Sequence, residues 1–143
     1  MSRAESEASE FQALFDLIGE LARRRYQAAE HSFTSLGLNH SEAHVLALLH
    51  QSHGTAGQEE LSAMVFVDRT NTGRALQRLE RGGYIVRRKD DSDRRTNVVR
   101  ITEKGRKTVA GISKLRKKMA QSFFGNLNAD EAATIVALLR KAM

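Results

Sequence analysis

The stretch "RRKDDSDRRTNVVR", residues 87–100, holds six Arg or Lys among fourteen residues, with Asp90, Asp91 and Asp93 at its centre. Cations at this density are the chemistry of phosphate contact. The aspartates need a separate reason. Asp93 lies two residues from Arg95 and next to Arg94, close enough for a charge-assisted hydrogen bond that orients a guanidinium. Asp90 and Asp91 suit a turn held by side-chain-to-backbone bonds. A second polar set precedes this one: Arg69, Thr70, Asn71, Thr72, Arg74, Gln77 and Arg78, opposite the apolar positions Ala75, Leu76 and Leu79. Arg can bind guanine in a bidentate manner and Asn or Gln can bind adenine, so this set has the groups to read base edges in a major groove. Thr70 and Thr72 can serve phosphates or thymine methyls.

The charge of the whole chain points the same way. Residues 1–60 hold 4 basic and 9 acidic side chains, whereas residues 61–120 hold 17 basic and 6 acidic, within an overall net charge of +6. Such a concentrated basic segment is the footprint of nucleic-acid binding.

Other chemistries find less support. Cysteine is absent, which excludes disulfides, thiolate zinc sites and thiol-based redox sensing. His40 and His44 are four apart, a spacing that can place two imidazoles on one metal, but "HSEAH" has Glu42 in neither position of the zinc-protease signatures. Carboxylates would have to complete such a site, so no metal is expected. No nucleophile elbow, phosphate loop or supported pair of carboxylates occurs. The expectation is a non-enzyme without a cofactor.

The elements that must position these residues follow from periodicity. Phe11, Leu14, Phe15, Ile18, Leu21 and Ala22 form a helical stripe that predicts a helix to about Ser35. Asn39 with Glu42 three residues later is a capping box opening a second helix, which ends at His53-Gly54. Two closely spaced helices follow, over about 58–65 and from a cap at Asp68 to the Gly82-Gly83 pair. "YIVRRK" and "NVVRIT" are β-rich runs separated by "DDSDRRT", a hairpin signal. A long helix begins near Glu103, and a last one carries Ile135, Leu138 and Leu139. Two short adjacent helices and a basic hairpin describe a winged helix-turn-helix. The predicted fold is mainly α with this small hairpin. The terminal stripes of Phe11, Leu14, Phe15, Ile18, Ile135, Leu138 and Leu139 exceed what so small a centre can cover. A homodimer held by the terminal helices is the economical answer.

No apolar run approaches the roughly 18 residues needed to cross a bilayer. The amino terminus "MSRAESEASE" is polar and net acidic, unlike a secretory signal. A cytoplasmic protein without a membrane partner is expected.

At this point the chain resembles the MarR family of transcriptional regulators, over about residues 11–142. The most specific elements are Leu79-Glu80 with Gly83, Asp93-Arg94-Arg95, and Ile101-Thr102 with Gly105. Phe66 stands where the family often has Gly, and Gly73 lies inside the predicted recognition helix. The resemblance implies a single domain, 1–143, with a DNA-binding lobe over about 37–102 and dimerisation helices over about 11–36 and 103–143. It implies a wing of Arg88, Lys89, Asp93, Arg94 and Arg95, in which Asp93 braces and Arg95 enters the minor groove. It further implies a repressor of a pseudo-palindromic double-stranded operator, released by a small aromatic or phenolic effector. Two alternatives stand beside it: an architectural, weakly specific DNA-binding protein, and a metal-responsive repressor using His40 and His44.

Overall fold

The computed structural model describes residues 2–65 and 69–143, with only the backbone described at residues 69 and 70. Helix α1 spans Arg3–Ala29 and starts earlier than its apolar stripe predicts. Its start is a capping box: Ser2 Oγ accepts from Glu5 N at 3.2 Å, and Glu5 Oε2 accepts from Ser2 N at 2.8 Å. It also ends earlier than expected, because Phe33 turns inward and is buried (3% exposed). A short 3-10 turn, Thr34–Leu36, then closes at Gly37 in the left-handed region.

Helix α2, His40–Gln51, opens on the expected Asn39/Glu42 box, with Asn39 Oδ1 accepting from Glu42 N at 2.8 Å. It ends at His53 and Gly54, both with positive φ. Strand β1, Thr55–Gly57, helix α3, Gln58–Met64, and helix α4, Arg69–Arg81, follow. Phe66 and Asp68, the turn position and the expected cap of α4, lie outside the described residues. The exit of α4 is a Schellman-type closure: Tyr84 N donates to Leu79 O at 2.9 Å while Gly83 adopts φ +80°.

Strands β2, Ile85–Lys89, and β3, Asn97–Ile101, form the predicted hairpin, pairing Ile85 with Ile101 and Lys89 with Asn97. Strand β1 adds a third antiparallel strand against β3, pairing Ala56 with Val99, in the order β1-β3-β2. It was not expected, since three residues, Thr-Ala-Gly, are too few to show an alternation. Helix α5, Glu103–Phe123, is capped by Thr102 Oγ1, which accepts from Gly105 N at 3.1 Å. Gly105 is needed there because a Cβ would overlap Tyr84 O and press on Ile101. Helix α6, Ala129–Lys141, begins on an Asn128/Glu131 box.

Leu46, Leu49, Leu61, Leu76, Leu79, Ile85, Val99, Ile101 and Ile112 form one continuous core beneath the sheet and α2–α5. The terminal helices contribute little to it. Ala29 is the sole buried residue of α1, and α6 has none. Phe11, Leu14, Phe15, Ile18, Ile135 and Leu138 of the predicted stripes are all exposed, Phe15 by 80%; Leu139 is half-buried. No described helix is long and apolar enough to cross a membrane.

Candidate nucleic-acid interface

Helix α4 divides cleanly. Thr72, Ala75, Leu76 and Leu79, spaced i, i+3, i+4, i+7, are buried and seat the helix on the core. Asn71, Arg74, Gln77 and Arg78 are exposed on the other side. Thr72, expected among the DNA-facing residues, is instead fully buried. Its position one turn before Leu76 puts it on the packing face. Arg81 is exposed and continues the Arg74, Arg78 row at the next turn. The same 3.6-residue spacing in the sequence could have found it. Of Arg69 and Thr70 only the backbone is described, as the first turn of α4.

The wing tip is built by its acids. Asp90 Oδ1 accepts from Ser92 N at 3.2 Å and Ser92 Oγ at 3.1 Å, closing an Asx turn. Asp93 Oδ1 accepts from Arg95 N at 3.1 Å and from Arg95 Nε at 3.4 Å, so one carboxylate holds both the turn and the guanidinium. The Arg95 side chain is otherwise 93% exposed. An ion pair this open adds little stability; what it supplies is direction. Asp91 is exposed and makes no such bond among the described residues, so the turn does not depend on it as expected. Arg88, Lys89 and Arg94 are exposed beside Arg95. Arg87 is different: it is turned inward and ion-paired to Glu80 at 3.0 Å.

Behind this face, α1, α2 and α5 enclose a crevice containing Arg25, Phe33, His40, His44 and Arg116. It adjoins a cavity of about 340 Å³ that shares Arg25 and Arg116 and adds Lys117, Phe123 and Phe124. The His40 and His44 rings stack with centroids 6.2 Å apart. Burial pushes both imidazole pKa values down, and the guanidiniums of Arg25 and Arg116 push them further; His40 also lowers that of His44. Two imidazoles faced by two guanidiniums are a poor cation site. Among the described residues no three His, Cys, Asp or Glu come together.

The MarR family profile matches residues 38–96, the stretch from the start of α2 to the wing tip. YkoM of Bacillus subtilis, described as an uncharacterized HTH-type transcriptional regulator, is 27% identical over 99% of this chain and 94% of its own. The structure of wild-type apo MarR from E. coli superposes with a TM-score of 0.80 at 25% identity, over 91% of this chain and 96% of that one. A mutant of that protein complexed with operator DNA gives 0.77 at 25% identity, over 94% and 96%. BpsR of Bordetella bronchiseptica, whose DNA binding is regulated by 6-hydroxynicotinic acid, gives 0.74 at 25% identity, over 89% and 90%.

Proposed function

The chain belongs to the MarR family of DNA-binding transcriptional regulators and is not an enzyme; from that premise we propose that it is a homodimeric repressor of a pseudo-palindromic operator. Residues of about 37–102 form the DNA-binding lobe in this reading, and about 11–36 and 103–143 supply the dimerisation helices. Helix α4 enters the major groove with Asn71, Arg74, Gln77 and Arg78, and Arg69 and Thr70 open it. Arg88, Lys89, Arg94 and Arg95 of the wing meet the backbone and the adjacent minor groove. A cytoplasmic location follows from that work.

The observation that carries the reading is the Asp93–Arg95 contact beside an exposed polar face of α4. A protein that only coats DNA gains from cations and has no use for an acid that aims one of them. The exposed apolar stripes of α1 and α6 support the dimer. Release by a small aromatic or phenolic anion is supported by the crevice, where two guanidiniums lie among aromatic rings.

Footprinting on genomic fragments around the gene tests the proposal. Protection of one discrete pseudo-palindrome, lost on adding an aromatic carboxylate, is the expected result. Uniform protection without a preferred sequence would replace it with the architectural reading.

A further inference from the structure

Strand β2 carries a cation at the margin of the core. Ile85 is buried, and strand alternation points Arg87 to the same side, where it pairs across the sheet with the buried Val99. The Arg87 side chain is 23% exposed and bridges two helices. Its Nη2 donates to Glu80 Oε1 of α4 at 3.0 Å, and its Nη1 to Gln58 Oε1 of α3 at 3.5 Å. Asn97, the first residue of β3, donates to the same Gln58 oxygen at 3.4 Å. These four side chains join α3, α4 and both wing strands at one point.

Glu80 is the single acid of α4, whose other charged residues are Arg69, Arg74, Arg78 and Arg81. A carboxylate beside approaching phosphates opposes binding unless it does something else there. We propose that Glu80 and Arg87, seated on Gln58, are positioning residues that lock the wing to the recognition helix, so that both grooves are engaged together. This rests on reading α4 and the wing as the two DNA-contacting elements. When two contacts belong to one rigid body, forming the first makes the second intramolecular. A wing free to swing must instead be ordered on binding, which loses affinity. Arg87 therefore works as a brace rather than as a phosphate contact, although it stands in the basic run.

Glu80→Ala and Arg87→Met change the charge in opposite directions, so simple electrostatics predicts opposite effects on operator affinity. The brace predicts that both weaken it, by about 3- to 10-fold, with the double variant no worse than the poorer single. Affinity for a non-specific duplex should hold or rise in Glu80→Ala, an effect that a merely unfolded protein does not produce. The loss caused by Arg95→Ala should shrink in the Glu80→Ala background, because an unheld wing has less to lose. Glu80→Gln removes the charge but keeps a hydrogen bond to Arg87, so the brace predicts operator affinity at or above the parent's. If Glu80→Ala fails to fold, Arg87→Met carries the loss. Operator binding by Glu80→Ala as tight as the parent's, or strictly additive losses, overturns the brace. If Arg95→Ala and Arg78→Ala leave the parent's binding unchanged, the reading of the DNA-contacting elements falls with it.

Discussion

Leu138→Ala is the sharpest test of how the protomers associate. Leu138 is 61% exposed on a helix with no buried residue, in an apolar stripe with Ile135. The substitution removes three carbons, about 0.8 kcal/mol each when fully buried, or about 2.4 kcal/mol in all. A partner can cover the exposed 61% of that group, which is about 1.5 kcal/mol. A two-fold interface counts the loss twice, about 3 kcal/mol, or roughly a 100-fold weaker dimer. Alanine is the best helix former, so α6 itself should persist. Sedimentation across nanomolar to micromolar concentration should show the parent at twice its 16.0 kDa chain mass. The variant should dissociate at correspondingly higher concentration. A parent that stays monomeric, or a variant within twofold of it, refutes the argument that this stripe is an interface.

Arg95→Ala should weaken operator binding by about 1–3 kcal/mol per half-site, and Asp93→Ala should weaken it too, although it makes the protein more positive. Asp93→Ala binding as well as the parent in a titration at fixed salt would remove the brace reading of the wing tip. Operator affinity should fall steeply with salt, each neutralised phosphate adding about −0.9 to the log-log slope; a flat dependence would place the basic segment away from DNA. Among the described residues, a Cβ at Gly73 meets nothing within 4 Å beyond its chain neighbours and its own helix backbone, so Gly73→Ala should raise unfolding stability by about 1 kcal/mol. If DNA approaches that backbone closely, the same variant binds the operator more weakly; greater stability with unchanged affinity rules the approach out. His40 and His44 have pKa values lowered by burial and by Arg25 and Arg116. The unfolded chain therefore takes up protons first as pH falls below the ordinary histidine range, and stability declines there while being fully present above it. Denaturant unfolding of His40→Gln/His44→Gln should show a shallower decline through that window, and an unchanged one would assign the effect elsewhere.

Local signals in the sequence determined most of the elements and their order. Capping at Asn39, the left-handed exit at His53-Gly54, the Gly82-Gly83 stop and the hairpin runs depend on neighbours within a few residues, and these the chain carries in its own spelling. The 3.6-residue stripe placed Arg74, Gln77 and Arg78 opposite Ala75, Leu76 and Leu79, and short sequence separation placed Asp93 within reach of Arg95. Contacts between distant segments decided the rest. Strand β1 exists because β3 offers it hydrogen-bonding partners, not because Thr-Ala-Gly prefers to be extended. Thr72 is withdrawn because the core reaches one turn further along α4 than its apolar residues announce. Arg87 reads in sequence as one more cation of a phosphate-binding run. Only the packing of β2 beside α3 and α4 pairs it with Glu80, seven residues back, and with Gln58, twenty-nine back. Partners so placed across separate elements have no spacing rule, because the distance between them is set by the core that lies beneath.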